Sequence, residues 1–419
     1  MQVCMLGKAL PKHQSLPRPI PLGRRGWVGE LLALFGVFLR LGLTSFGGPV
    51  AHVGYLREEF VRRRQWLDDQ AFGDLVALCQ FLPGPSSSQL VFALGMRRAK
   101  LAGGLVASVA FTLPAAVLMI IFGIAVASLG HLEAVGWLQG VKLAAVAVVA
   151  QAVWGMGRNL CTNQFDISVA LGAAAVMLCV QQVFVQIAVI FLGGLLGWWR
   201  YGRILSGSEL QMTAGWRGHR IAVMMLGAYL FLLILMPVLA ALTGNQQIAV
   251  FDSFYRSGAL VFGGGHVVLP LLRLEMLAHH WVSNPVFLAG YGAAQALPGP
   301  LFTISAYLGT VIQPGPGAAW RGVVSLVAIF LPGLLLIGGM MPFWNYLRTK
   351  AWARAALRGA NASVVGMLLA ALYNPLWTES VSRPMDLAAV LIAFGLLQWW
   401  KSPPWLLVML FAGWGAWRP

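Results

Sequence analysis

The chain has 419 residues, of which 59% are hydrophobic and only 10% are charged. Soluble globular domains contain about 45–50% apolar and about 25% charged residues, so this composition excludes a water-soluble globule and predicts an integral membrane protein. The net charge of +16 lies mostly in short segments between apolar runs, which is typical of cytoplasmic loops facing anionic lipid and does not indicate nucleic acid.

The first apolar run follows a Pro-rich, basic segment, residues 1–26, which lacks the apolar core of a secretory signal and is expected to be a cytoplasmic tail. A helix is predicted over Trp27–Phe46, ending at Gly47-Gly48-Pro49, and a second helix starts there over Pro49–Phe60. Two apolar segments then flank Pro83-Gly84-Pro85, and each is shorter than the ~20 residues that cross a bilayer. They predict a re-entrant hairpin or one broken helix, over Ala71–Phe81 and Gln89–Met96.

The rest of this half consists of longer apolar runs with short connections. A polar, basic linker, Arg200–Arg220, separates the two halves, and one extra span, Ile221–Leu242, follows it. The spans predicted before the linker are Leu101–Leu129, Ala134–Met156, Ile167–Val180 and Val183–Trp199.

The second half repeats the order of the first. The motif Phe46-Gly47-Gly48 returns as Phe262-Gly263-Gly264-Gly265, and Gln80 returns as Gln295 at an interval shorter by one position, each Gln standing shortly before Pro-Gly-Pro. This repetition indicates an internal duplication. The elements predicted for the second copy are Gln247–Phe262, Val286–Leu297, Leu301–Thr310, Val323–Phe343, Ala355–Tyr373, Leu387–Trp400 and Trp405–Trp414.

Loop charges predict that the two copies face opposite sides of the membrane. In the first copy, Arg62–Arg64 and Arg97-Arg98 crowd the loops beside the short segments, whereas in the second copy the bias moves one loop later, to Arg348, Lys350 and Arg354. Inverted repeats with broken helices near the midplane are typical of secondary transporters. We therefore predict an all-α membrane protein divided into a tail (1–26), a first repeat (27–199), a linker with an extra helix (200–246) and an inverted second repeat (247–419).

The Gly-rich breaks and the Pro-Gly-Pro turns predict an oxyanion site. Helix starts carry unpaired backbone N–H groups that attract anions, and the serines after Pro85 add hydroxyl donors. Gln80 and Gln295 either donate to substrate or cap loose backbone at the breaks. The candidate substrate-binding residues are Arg40, Gly47, Gly48, Gln80, Gly84, Ser86, Ser87 and Ser88 in the first copy, and Arg256, Gly263, Gly264, Gly265, Gln295, Gly299 and Thr303 in the second.

Arg40 and Arg256 occupy the same position relative to Phe-Gly-Gly, each on an apolar helix, where a charge costs about 3 kcal/mol. Two interpretations stay open: the arginines together clamp a dianion, or each snorkels or pairs with Glu59 or Glu275. A second repeated pair of cations, Lys142 and Arg358, is expected to snorkel. The candidates for coupling to protons are Glu59, Glu275, His52 and His266, with ion pairing favoured for the glutamates and structural roles for the histidines.

These motifs resemble the chromate ion transporter family, and the resemblance runs from Trp27 to Trp414. Phe46-Gly47-Gly48-Pro49 and Gln80-Phe81-Leu82-Pro83-Gly84-Pro85 are similar to the family's N-terminal domain, and Gly292–Phe302 is similar to its C-terminal domain. The resemblance implies a two-domain, long-chain protein of the bacterial inner membrane that exports chromate and gives resistance, with sulfate as a competing analogue.

Other readings remain beside the chromate exporter. A sulfate or other anion transporter fits the same motifs, because sulfate and chromate share shape and charge, and a channel would need a continuous polar pore. An enzyme acting on lipid phosphates would need a nucleophile, an acid/base pair or an acidic metal site, which the few scattered carboxylates do not form. We predict no enzyme, cofactor or metal, an N-terminus in the cytoplasm, and compatibility with a homo-oligomer.

Overall fold

A computed structural model describes residues 26–46, 48–128, 136–180, 183–202, 219–261, 268–344 and 350–417. Within these ranges every regular element is helical and no strand occurs, so the all-α prediction is confirmed. Six of the described helices are long and apolar enough to cross a membrane, and five apolar helices are shorter. The protein is a multi-pass membrane protein that contains both full-length and short apolar helices.

The helices of the first half begin and end close to the predicted positions. A short π-helical segment, Glu58–Arg63, follows the second helix. The helices are α1 (Trp27–Thr44), α2 (Gly48–Arg57), α3 (Asp69–Phe81), α4 (Ser86–Ser128), α5 (Gly136–Leu160), α6 (Gln164–Cys179) and α7 (Val183–Tyr201), followed by the extra helix α8 (His219–Thr243).

The second half has the same order of elements, with one helix that the sequence pattern did not separate, between the Gly-rich break and the second Pro-Gly-Pro. The helices are α9 (Gln246–Leu260), α10 (Val268–Ala278), α11 (Asn284–Ala296), α12 (Ile304–Ile312), α13 (Ala318–Met340), α14 (Ala351–Ala371), α15 (Pro384–Gln398) and α16 (Pro404–Ala416). A short 3₁₀ turn, Leu301–Thr303, precedes α12.

Local sequence explains several helix boundaries. α1 buries the stripe Glu30, Leu34, Phe38 and Leu41, the spacing of one helical face. α3 starts where the Asp68 carboxylate accepts a hydrogen bond from the Ala71 N–H at 2.7 Å, an N-cap that satisfies one of the free donors of the first turn.

The long helix α4 consists of two antiparallel arms. Ala99 and Lys100 leave the helical conformation, with φ of +53° at Lys100, and the chain reverses there. Gly95 consequently lies against Gly103 and Ala107, so closely that a Cβ on Gly95 would overlap them. The arms, residues 86–98 and 101–128, correspond to the short segment and the following span that the sequence predicts.

Both Pro-Gly-Pro turns are the tips of re-entrant hairpins rather than breaks in one straight helix. In the first hairpin, formed by α3 and the first arm of α4, the Arg98 guanidinium lies 5.3 Å from the centre of the Trp66 ring, so the arm ends beside the start of α3. In the second hairpin, formed by α11 and α12, the Tyr307 hydroxyl donates to the Val286 carbonyl at 2.7 Å. Each hairpin therefore enters and leaves at the same end.

The outer helices of each half pack against a long helix of the other half. α6 and α7 lie on α14, while α15 and α16 lie on α5. Small residues allow the close approach, because Cβ atoms on Gly193 and Gly197 of α7 would overlap Gly359 of α14. The halves are interleaved and do not form two separate globules.

An ion pair between a buried acid and a partly exposed arginine joins the interleaved helices. Arg358 of α14 donates to the carboxylate of Asp166, the fully buried residue at the start of α6, at 2.8 Å. The guanidinium also lies 4.4 Å from the ring centre of Tyr201, whose hydroxyl donates to the same carboxylate at 2.9 Å. Arg358, which was expected to snorkel, therefore also binds an acidic residue of the first half.

Candidate functional site

The tips of the two hairpins contact the opposite halves in the same way. The Gly84 N–H donates to the Val261 carbonyl at the end of α9 at 2.6 Å, and the Gly299 N–H donates to the Ser45 carbonyl at the end of α1 at 2.9 Å. Ser45 and Val261 directly precede the two copies of the Phe-Gly-Gly motif, so they are equivalent positions of the repeat. We call this region, Pro83–Pro85 with Val261 and Pro298–Pro300 with Ser45, the crossing.

Glycine is required at both tips for conformational and steric reasons. Gly84 has φ of +124° and Gly299 has φ of +111°, values that L-residues rarely adopt. A Cβ on Gly84 would come within 3.1 Å of the Gly333 Cα, and one on Gly299 within 2.9 Å of the Ala115 Cβ. Both glycines of the predicted site therefore hold the hairpins against α13 and α4.

A glutamine caps the backbone of the first tip, but it is Gln89 rather than the predicted Gln80. The fully buried Gln89 amide donates to the Pro83 carbonyl at 2.8 Å and to the Gly333 carbonyl at 3.3 Å. Gln80 is exposed, and Gln295 donates to the Tyr291 hydroxyl at 3.0 Å. The signal for Gln89 was a polar residue inside an apolar run, one turn after Pro85.

The hydroxyl groups near the two tips differ in their hydrogen bonds. α4 begins at Ser86, directly after the first tip, and Ser87 and Ser88 are buried. The buried Oγ atoms of Ser88 and Ser45 have no hydrogen-bond partner among the residues the structure describes. In the second copy, Thr303 donates its hydroxyl to the Pro300 carbonyl at 2.8 Å, so that donor is already used. Among the described residues beside the tips, those of the first copy combine the start of an α-helix with an available hydroxyl donor, whereas those of the second copy form a 3₁₀ turn with a hydroxyl that is already bonded.

Arg40 belongs to a cluster in which three arginines surround one carboxylate. It donates to Glu59 at 2.7 Å, and Arg63 and Arg64 contact the same carboxylate at 3.1 and 2.7 Å. Burial favours the neutral carboxyl, but the hydrogen bond from Arg64 and the charges of Arg40 and Arg63 outweigh it and lower the pKa of Glu59. We call these four residues the arginine cluster.

Arg256 occupies the equivalent position in the second copy, but there the acids outnumber the arginine. It contacts Glu275 at 3.2 Å and Asp252 at 2.8 Å, and His279 lies 3.7 Å from Glu275. We call these four residues the carboxylate cluster. Ion pairing of both repeated arginines with their own glutamates is thus confirmed, whereas a joint clamp on substrate stays a prediction. Asp252 has no counterpart in the first copy, so the repeat pattern did not indicate it.

The remaining predicted residues fall into two groups. His52 is buried, lies 3.1 Å from the Ser45 carbonyl through Nε2 and meets the Phe111 ring edge-on, while Gly48 begins α2. Among the described residues, no group of three His, Cys, Asp or Glu side chains is placed to hold a metal ion. The predicted site residues Gly47, Gly263, Gly264, Gly265 and His266 lie outside the described residues.

The duplicated architecture matches a known family. The model of the chromate transporter family matches this chain twice, over residues 32–198 and 248–416. The chain belongs to the chromate transporter family. The starts of the two matches are separated by the same interval as Phe46 and Phe262, the first residues of the repeated motif. The family assigns the chain a transport function, with an oxyanion as substrate.

Several curated relatives cover most of this chromate transporter homologue. It is 27% identical over 399 residues to the chromate transport protein of Pseudomonas aeruginosa, covering 92% of this chain and 91% of the relative. It is 27% identical over 387 residues to the chromate transport protein of Cupriavidus metallidurans, covering 87% of each. A probable chromate transport protein of Synechococcus elongatus is 27% identical over 354 residues, covering 82% of this chain and 84% of the relative. No solved structure matches the chain.

Proposed function

We propose that this protein exports chromate from the bacterial cytoplasm and thereby gives chromate resistance, with the dianion binding at the crossing. The observation that carries the proposal is the pair of buried hydroxyls, on Ser45 and Ser88, that lack partners among the described residues. Buried hydroxyls are normally hydrogen-bonded, so donors left without a partner suit a ligand. Ser88 also lies in the first turn of α4, where the free backbone N–H groups favour an anion. The relatives named as chromate transport proteins support chromate as the anion.

The proposed cycle uses the two hairpins as the moving parts. Because each tip contributes one backbone hydrogen bond to the opposite half, the crossing can separate on one side while it stays closed on the other. We propose that the copies are inverted in the membrane, that residues 1–26 are cytoplasmic and that the protein resides in the inner membrane. Thiol labelling of single cysteines placed at Arg62 and at Gln313 tests this orientation, since inversion predicts that opposite faces are labelled.

The experiment that tests the function measures chromate accumulation in cells that express this chain and in empty-vector cells. Lower accumulation than in the control, lost on addition of an uncoupler, is the expected result for energised export. Equal accumulation with verified protein in the membrane would remove chromate as the substrate. Adding excess sulfate tests the alternative substrate. If the protein transports sulfate in preference, excess sulfate should occupy the site and abolish the difference in chromate accumulation.

A matched pair of serine variants locates the substrate. Ser88→Ala removes a buried hydroxyl without a partner among the described residues and is expected to abolish most of the difference in accumulation. Ser168→Ala removes an exposed hydroxyl that donates to the Gln164 carbonyl on α6, away from the crossing, and should leave accumulation unchanged. Equal behaviour of the two variants would remove Ser88 from the binding site.

A further inference from the structure

Asp252 is a buried acid with one oxygen left unsatisfied. Its side chain lies in α9 and is 3% exposed. Oδ2 accepts a hydrogen bond from Arg256 at 2.8 Å, whereas the buried Oδ1 has no partner among the described residues. An ionised oxygen buried without a donor is costly, and a proton on Oδ1 removes that cost by making the carboxyl neutral.

The charges around Asp252 lead to the same conclusion. Arg256 is shared between Asp252 and Glu275, so two carboxylates compete for one guanidinium. With both acids ionised, these three side chains carry one net negative charge in a buried position. Two carboxylates in one site do not both ionise freely, and the binding of a single proton neutralises the group.

Other titratable groups on the helices packed against α9 are engaged elsewhere. Arg273 of α10 donates to Asn284 at 2.8 Å, and Arg321 of α13 donates to the Gln313 carbonyl at 3.1 Å. On α8, the Tyr229 hydroxyl donates to the Ala259 carbonyl at 3.4 Å and Arg220 is exposed. On α9 itself, the Tyr255 hydroxyl donates to the Tyr229 carbonyl at 3.0 Å. The half-exposed His279, 3.7 Å from Glu275, is where the cluster reaches the surface.

The acid is present in one half only. Asp252 stands at the same distance before Arg256 as Gly36 stands before Arg40, so the equivalent position in the first copy has no side chain that can bind a proton. The corresponding Arg40 is surrounded by further arginines. A buried acid with an unsatisfied oxygen at this repeat position is therefore a feature of the second half.

We propose that Asp252 is a proton-binding site of this transporter, with the proton on Oδ1 and Arg256 on Oδ2, and that its protonation couples proton movement to anion transport. The coupling rests on the transport function proposed above. Glu275 keeps its ion pair through the cycle, while Asp252 alternates between the neutral and the ionised form.

Infrared difference spectroscopy on the purified full-length protein tests proton binding without any substrate. The spectrum of wild-type protein at low pH minus that at high pH should contain the carbonyl band of a buried protonated carboxyl. Asp252→Asn should lose this band, whereas Glu275→Gln should keep it. Asp252→Glu, which preserves an acid, should keep the band at a shifted frequency. This variant replaces Asp252→Asn in the test if Asp252→Asn does not fold. A wild-type spectrum without the band, or a band retained in Asp252→Asn, would overturn the proposal.

Proteoliposomes then test the coupling. With a pH-sensitive dye inside, an inward chromate gradient should move protons in wild-type vesicles, and Asp252→Asn should abolish this proton movement while chromate–chromate exchange continues. Proton movement retained in Asp252→Asn would overturn the coupling. An infrared band without chromate transport in wild-type vesicles would reject the proposed substrate and leave the proton site standing, so the two failures are distinguishable.

Discussion

At the crossing the two halves make the same contact, but in the charged clusters beside it they differ. Gly84 and Gly299 have the same kind of backbone conformation and donate equivalent hydrogen bonds. The repeated Arg–Glu pair, by contrast, gains two arginines in the first half and an aspartate and a histidine in the second. The two halves are thus symmetric in the backbone contacts of the hairpin tips and asymmetric in the charged side chains around Arg40 and Arg256.

This comparison distinguishes the backbone contacts of the hairpin tips, which are the same in both halves, from the charged clusters, which are not. Under the proposed inversion, the hairpins would open to either side only if both tips fitted equally well, and the symmetric glycines are consistent with that requirement. The proposed export in one direction needs unequal environments on the two sides of the membrane, and under the proposed inversion the two clusters would supply them. The arginine cluster carries a net charge of about +2 and the carboxylate cluster a net charge of about −1 when the carboxylates are ionised and His279 is neutral.

The largest expected effect tests the symmetric part. Gly84→Ala and Gly299→Ala should each abolish transport and lower the unfolding free energy by about 4 kcal/mol, from backbone strain of about 1–3 kcal/mol and a comparable cost of overpacking. Chemical unfolding of the purified protein in detergent measures this. Gly315→Ala is the control, because Gly315 has φ of +106° but no atoms near its would-be Cβ. A large loss for one tip variant only would break the symmetry.

The next effect tests the asymmetric part. Glu59→Gln leaves three arginines around a neutral amide and should lower the unfolding free energy by about 2 kcal/mol, less than for a fully buried pair because the arginines are partly exposed to solvent. Glu275→Gln leaves Arg256 bound to Asp252 and should cost about 1 kcal/mol. The same unfolding measurement compares them. Equal losses would mean that the additional charges do not matter.

A smaller effect separates the hydroxyls at the two tips. Thr303→Val removes the hydrogen bond to the Pro300 carbonyl and should lower stability by about 1 kcal/mol with little change in the KM for chromate. Ser88→Ala should instead raise KM by about tenfold, equivalent to about 1.4 kcal/mol, without loss of stability. Flux measurements in proteoliposomes and unfolding curves together check the pattern. If Thr303→Val raised KM and Ser88→Ala lowered only the stability, the substrate would have to be assigned to the second tip.

The smallest effect is a pH dependence of the arginine cluster. Because the folded-state pKa of Glu59 is lowered, its pairing stabilises the protein above the ordinary value of 4.5 and is lost as the pH falls through the lower folded value. Melting temperatures of wild type and Glu59→Gln should therefore differ near neutral pH and converge in acid. A constant difference down to about pH 3 would contradict this assignment.

Much of the fold could be predicted from the sequence because its signals are local. Helix ends at Gly-Gly-Pro, Pro-Gly-Pro and the Asp68 cap come within a few residues of the predicted positions. The reversal at Ala99-Lys100 falls between the predicted segments Gln89–Met96 and Leu101–Leu129, whereas the close contact of Gly95 with the second arm gave no signal in the sequence.

The site was predicted only where the repeat marked it. The repeated glycines and arginines stood out at a constant interval, whereas Asp252 and Gln89 occur in one copy and gave no such signal. Gln80 was chosen over Gln89 because it precedes the turn in both copies. Gln80 is exposed because it lies on the outer face of α3, and a comparison of motifs does not show on which face of a helix a residue lies.

The interleaved packing has a consequence for how the protein is made. Asp166 can form its ion pair only after Arg358 has been synthesised, and Arg358 is 192 residues later in the chain. At a synthesis rate of about 5–20 residues per second, an acid destined for full burial stays without its cation for about 10–40 s on the ribosome. The outer helices of the first half pack on α14, so they reach their final contacts only after the second half has been synthesised.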